Sequence, residues 1–301
     1  MSLLDRRLLF TTGKGGVGKS TVTAALALVA ASRGKRVLVC EVDTHERISV
    51  LLGARPVGTE VRRVADGIDA VVVRPHEAMR AYALLQLKYR AIYKAVFENR
   101  FVARFLRFIP SLDELVMLGQ ILHWVRQARW DVVLVDAPAT GHGITFLRVP
   151  QALIDTVPPG AMRSDAEWMQ AILVDPRLTA VNLVSLPEEL PVNETIELAS
   201  AVQGTLRMQP GRVFLNRAHE RRFAQEELAA LDRPLGLPAL DAAANAAHAQ
   251  AARALMTERY RARLVEALGL PIVDIPFLAP KGDFGRLAID EVAKVIAGGT
   301  P

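Results

Sequence analysis

Cysteine is almost absent from this chain. Cys40 is the only one in 301 residues, which excludes an intrachain disulfide and any CxxC zinc or iron–sulfur site held within one chain. It falls inside a predicted buried strand, where a thiol serves core packing. Long apolar runs are also missing. The longest, near Thr21–Ala31, is well short of the roughly 18–20 residues a membrane span needs. The opening residues MSLLDRRLLF lack the charged, apolar and small-residue regions of a signal peptide. There is little excess charge of either sign: 37 Lys and Arg stand against 32 Asp and Glu, a net charge of +5. That balance allows weak attraction to acidic surfaces and does not imply a dedicated nucleic-acid binder. No low-complexity linker or internal repeat interrupts the chain. These absences together predict a soluble protein of a reducing, cytoplasmic compartment.

Hydrophobic residues make up 51% of the sequence, a core-forming composition. Short β-branched runs alternate with longer helical patterns. Strands are predicted at residues 7–12, 36–42, 69–74, 130–136, 179–186, 212–216 and 271–275. Helices are predicted at 19–32, 76–108, 112–128, 164–174, 187–203, 221–230, 242–267 and 284–296. Several strands, such as Val132-Val133-Leu134-Val135, are apolar without interruption, as strands covered on both faces are. The alternation predicts an α/β fold with a doubly wound, mostly parallel sheet flanked by helices. One domain spanning residues 1–301, with a helical insertion over 76–129, fits better than two independent domains.

The stretch 76–110 holds seven basic and two acidic residues, as well as seven of the chain's 17 aromatics. Those aromatics recur mostly at steps of four. Each such step drifts about 40° around a helix, so from Tyr89 to Phe105 the stripe rotates by about 160°. One straight helix would not bury it on a single face. A break near Asn99, or a wrapped or exposed face, resolves the conflict.

The strongest motif is Gly13-Lys14-Gly15-Gly16-Val17-Gly18-Lys19-Ser20-Thr21. It contains the phosphate-binding pattern GxxxxGK[ST] and sits between a predicted strand and a predicted helix, the context the pattern requires. Glycines let successive backbone N–H groups face phosphates, and the helix N-terminus adds partial positive charge. Lys19 would neutralise the β and γ phosphates of ATP, and the Ser20 hydroxyl would ligate Mg²⁺.

With its second lysine, GKGGVGKST resembles the deviant Walker A loop of the SIMIBI class of P-loop ATPases. That class includes MinD, ParA, the nitrogenase iron protein and the arsenite-pump ATPase ArsA. The resemblance implies that Lys14 reaches across a dimer interface to the partner's nucleotide, like an arginine finger. Asp136-Ala137-Pro138-Ala139-Thr140-Gly141-His142 is similar to the switch II signature of the ArsA group, with Asp-Ala-Pro-Ala-Thr in place of Asp-Thr-Ala-Pro-Thr as the departure. By that resemblance Asp136 holds Mg²⁺ through water, and Gly141 and His142 lie in a loop that senses the γ-phosphate. Glu41-Val42-Asp43-Thr44-His45 resembles switch I, whose aspartate, here Asp43, orients the attacking water. The spacing after Asp43 departs from the family, so no role carries over to Glu46 or Arg47.

Weaker matches extend the resemblance from Leu8 to about Leu278. Phe108–Leu115 and Pro187–Thr195 resemble other family stretches. Asn216 in Leu215-Asn216-Arg217 would lie near adenine, and Pro276 and Phe277 would form the other side of the base pocket. No Asn-Lys-x-Asp guanine motif is present, which favours ATP over GTP. The cysteines by which the arsenite pump binds metalloid are missing, as is the zinc-binding CxxC of the eukaryotic tail-anchor targeting ATPases.

The resemblance implies an ATP-hydrolysing switch that closes as a homodimer, or with a paralogous ATPase partner, and handles a protein client, membrane proteins included. The aromatic helices at 80–117 would suit capture of an apolar helix. The alternative is a positioning ATPase of the ParA or MinD kind acting on DNA or a membrane surface, which the basic stretch 80–107 supports slightly. The predicted C-terminal helix carries Asp290 and Glu291 and is poor material for a membrane. A P-loop ligase or kinase would need a second substrate pocket with its own acid or base, and no constellation specifies one.

Overall fold

The computed structural model describes residues 2–86, 111–138, 140–232, 237–279 and 284–299. A short 3-10 turn, Leu3–Asp5, leads into β1 (Leu8–Gly13) and α1 (Lys19–Ser32). The chain continues through β2 (Val37–Val42), α2 (Ile48–Leu51), β3 (Arg62–Ala65), β4 (Ile68–Val73) and α3 (Pro75–Gln86). Next come α4 (Leu112–Gln127), β5 (Val132–Asp136), α5 (Thr140–Thr156), α6 (Ala161–Val174), β6 (Thr179–Ser185) and α7 (Glu189–Gly204). Then follow β7 (Pro210–Ala218), α8 (Gln225–Ala230), α9 (Pro238–Leu268), β8 (Ile272–Pro276) and α10 (Arg286–Gly299).

All eight strands lie in one sheet, in the order β3-β4-β2-β5-β1-β6-β7-β8. Every pairing is parallel except β3 with β4. The doubly wound, mostly parallel architecture expected from the sequence is therefore the one observed. β1, β2, β4, β5 and β6 are buried at every residue, which explains their mostly apolar runs, such as Val132–Val135. Alternate residues serve opposite faces. Leu8 and Phe10 join the core under α4–α7 and α9, while Leu9 joins the core under α1 and α10. α1 packs close to the sheet because its buried positions, Val22 to Ala30, are mostly Ala, Val and Thr. Cys40 is buried in the first of these cores, and burial pushes its thiol pKa up.

The differences from expectation have local causes. β3 escapes the sequence pattern because Arg62 and Arg63 are exposed on it. It is an antiparallel edge strand, where charge blocks further pairing. Arg63 is tied at 2.6 Å to Asp69, which also accepts the Trp130 indole N–H at 2.9 Å. α5 is hidden by Gly141, Gly143 and Pro150, all of which read as breakers. The helix 76–108 is described only as far as Gln86, so the expected aromatic stripe and the break near Asn99 lie outside the described residues.

The sheet order reverses at β1. The chain moves outward on one side through β2, then crosses to β6 on the other. Ligands of open α/β sheets sit at such a point, outside the carboxyl ends of the strands. The carboxyl ends of β1, β2, β5, β7 and β8 carry Gly13, Asp43, Asp136, Asn216 and Pro276, and so gather most of the residues singled out in the sequence.

Candidate nucleotide site

Gly13 ends β1 with φ +151 and Gly18 caps α1 with φ +99. Both conformations are ones that L side chains rarely adopt, and both positions are also too crowded for a side chain. A Cβ on Gly13 would lie 2.3 Å from the Val184 carbonyl oxygen, and one on Gly18 would lie 2.2 Å from the Asn216 amide nitrogen. Neither position admits a side chain, and the loop between them delivers the chain into α1 with the first-turn amides free for an anion.

The side chains around this loop are connected. The Ser20 hydroxyl donates to Asp136 Oδ2 at 2.6 Å, which joins the start of α1 to the end of β5. Lys19 Nζ donates to the Lys14 carbonyl at 3.2 Å. Burial lowers the Lys19 pKa, Asp136 opposes that shift, and the charge of Arg47 adds to it. Asp136 is raised to about 6 by burial, against the Ser20 hydrogen bond and the charges of Lys19 and Arg47. Its second oxygen, Oδ1, is buried without a hydrogen-bond partner.

A cavity of about 530 Å³ opens beside the loop. Gly16, Gly18, Lys19, Ser20 and Thr21 line one end. Ile275, Pro276, Phe277, Leu278 and Phe284 line the other, with Asn216 and Arg217 between. Phe277 is 49% exposed and Phe284 43%. One face of Phe277 stacks on His219, with ring centroids 5.1 Å apart and planes 17° apart. A polar, glycine-rich end beside an apolar, aromatic one suits a ligand with an anionic tail and a flat apolar head.

The residues named from sequence fall into three groups. Gly16, Gly18, Lys19, Ser20, Thr21, Asn216, Pro276 and Phe277 line this one cavity, with Asp136 behind Ser20. Gly13, Gly15 and Val17 belong to the loop but do not line the cavity. Asn216 does more than border the cavity: its side-chain amide donates to the Val17 carbonyl at 2.8 Å and so holds the loop against β7. The third group stands apart. Lys14 is paired within its own chain, 3.2 Å from Glu194 Oε1 on α7. Asp43 is exposed with φ 43 and does not line the cavity. Gly141 and His142 are exposed in the first turn of α5, not in a loop as expected. The four-residue spacing of Gly141 and Thr145 lets the Thr145 hydroxyl donate to the Gly141 carbonyl at 3.1 Å, a bond of the helical turn.

Sequence reading missed two residues. Glu41 is 1% exposed on β2, level with Asp136 on β5. Its carboxylate accepts the Arg47 N–H at 2.8 Å and the Ile48 N–H at 3.2 Å. Burial raises its pKa to about 7. The signal was available: an acid inside Val-Leu-Val-Cys-Glu-Val is out of place in a covered strand. Arg47 also lines the cavity, on the side of α2.

The profile of the family described as anion-transporting ATPase matches residues 6–158. The chain is 30% identical to the ATPase BagA of Mycobacterium tuberculosis strain H37Rv over 234 residues, covering 74% of this chain and 68% of that protein. It is 30% identical over 181 residues to the ATPase ASNA1 homolog of Leishmania braziliensis, with 49% of this chain and 45% of that protein covered. It is 24% identical over 249 residues to the ATPase ASNA1 homolog of Entamoeba histolytica, covering 69% and 75%.

Proposed function

The chain belongs to the anion-transporting ATPase (ArsA-type) family and is an ATPase, and from that premise we propose how its residues hold ATP and what the hydrolysis drives. The triphosphate lies on the amides of the Gly13–Thr21 loop, with Lys19 at the β and γ phosphates. The adenine rests on the open face of Phe277, beside Pro276 and Asn216. The observation that carries this reading is the Ser20–Asp136 hydrogen bond at the mouth of the glycine loop.

Ser20 and Asp136 fit Mg²⁺. They offer a hydroxyl and a carboxylate, both hard oxygen donors, and Asp136 Oδ1 is buried with nothing to bind. Among the described residues no group of three or more His, Cys, Asp or Glu forms a metal site. When bound, the ion neutralises charge on the phosphate oxygens. Asp136 would hold it through water. Asp43 orients the attacking water and needs no unusual basicity to do so.

Hydrolysis serves a dimeric switch. ATP draws two copies, or this chain and a paralogous partner, together so that Lys14 of one reaches the nucleotide of the other. Lys14 must first leave Glu194, and both side chains are about one-third exposed, so their exchange with another partner costs little. Closure is coupled to handling of a protein client. Among the described residues no helix is long and apolar enough to cross a membrane.

Light scattering on the full chain carrying Asp43→Asn, with ATP and Mg²⁺, tests the switch. The chain mass is 32.9 kDa, and the reading predicts about twice that with ATP and a single copy with ADP. One mass under both conditions rejects the switch.

A further inference from the structure

The turn after β2 is fixed from both sides. On one side the buried Glu41 carboxylate accepts the backbone N–H groups of Arg47 and Ile48 at 2.8 and 3.2 Å. On the other, Glu46 accepts the Gly58 N–H at 2.9 Å, the Val57 N–H and the Ser49 hydroxyl. Although burial alone would raise it, those hydrogen bonds and the nearby charge of Arg74 hold the Glu46 carboxyl below its usual range. Two carboxylates thus hold the backbone on either side of one side chain, that of Arg47.

Arg47 is exposed on the wall of the cavity that also holds Gly18, Lys19 and Ser20. Its guanidinium makes no hydrogen bond or ion pair among the described residues. The other candidate cations at this end are engaged: Lys14 with Glu194, and Lys19 with the Lys14 carbonyl. A guanidinium whose backbone is fixed and whose fork is free, facing an anion-binding loop, is prepared for phosphate oxygens.

We propose that Arg47 contacts the terminal phosphate of ATP from within the same chain and sets the preference of the site for ATP over ADP. This rests on the assignment of the triphosphate to the Gly13–Thr21 loop. α2 follows directly, and Glu41 anchors its first residue through the Ile48 N–H. The exposed Val50 and the Leu51 beside it line the same cavity. Loss of the γ-phosphate releases Arg47 while Glu41 keeps the backbone in place.

Equilibrium binding of ADP and of adenylyl imidodiphosphate to the full chain, with Mg²⁺, tests this in the wild type, Arg47→Ala and Arg47→Lys. The alanine variant is expected to lose at least about tenfold in affinity for the triphosphate analogue, the scale of a hydrogen bond to a charged group. Its ADP affinity should change by less than about twofold, which also reports an intact fold, and the lysine variant should recover part of the loss. An unchanged ratio of the two affinities in Arg47→Ala overturns the role of Arg47 alone. Equal losses for both nucleotides place the contact elsewhere and overturn it too. Failure of the wild type to bind either nucleotide overturns the phosphate assignment on which the inference stands.

Discussion

The two ends of the cavity are built by opposite means. At the phosphate end the backbone supplies the shape, and side-chain bonds brace it: two distant strands hold it through Ser20 to Asp136 and Asn216 to Val17, and Lys19 to Lys14 closes it from within the loop. Little there can move without breaking a hydrogen bond. At the base end the wall is side chains, with Phe277 and Phe284 about half exposed. It is held by apolar contact, by the stacking of Phe277 on His219 and by the bond from the Phe277 N–H to the Ala218 carbonyl at 2.9 Å. The contrast implies a division of labour. The rigid end, where charge must be stabilised without rearrangement, carries turnover. The softer end contributes affinity.

Breaking the rigid end should have the largest effect. Lys19→Ala is expected to lower ATP turnover by about 100-fold or more, since a preformed cation at developing phosphate charge is removed. A steady-state phosphate-release assay checks this, with circular dichroism to show that the fold persists.

Glu41 offers a test of the same end in the absence of nucleotide. Its carboxyl ordinarily titrates near 4.5 and is raised to about 7 in the folded chain. The folded state therefore keeps a proton that the unfolded chain releases, so stability falls as pH rises from 4.5 towards 7. The size of the fall is on the order of 3 kcal/mol. Urea unfolding of Glu41→Gln at pH 5 and pH 7 should show most of that slope gone. Asp136, raised from 3.8 to about 6, adds a slope of the same sign that remains in this variant.

The smallest effect on stability belongs to the half-buried pair at the rim. Glu194→Gln removes the ion pair that holds Lys14 and should cost less than about 1 kcal/mol. The same change frees Lys14, so it should raise ATP-dependent dimer formation. A lower dimer fraction by light scattering would count against the pairing as a restraint.

Legibility in the sequence follows the same division. The glycine loop could be read at once, because a shape made by backbone depends on residue types at fixed spacing. The parallel core strands could be read because both of their faces are covered. Asn216 lines the same cavity as the glycine loop, yet its bond to Val17 joins positions 199 residues apart, and no local pattern encodes such a bond. Glu41 and Arg47 went unread for related reasons. The family spacing fails after Asp43, and a single arginine in a polar turn resembles any solvated one. α5 was obscured by glycines and Pro150, whose breaking tendency tertiary packing overrides. β3 was obscured by its edge charges.

The most direct test of the divided cavity is the kinetic split in Phe277→Ala. Loss of base stacking is worth about 1–3 kcal/mol, or about tenfold in affinity. If turnover belongs to the phosphate end, this variant should raise the KM for ATP by about tenfold and leave kcat within about twofold of wild type. A fall in kcat at unchanged KM would mean that the aromatic end takes part in the transition state, and the division would be wrong.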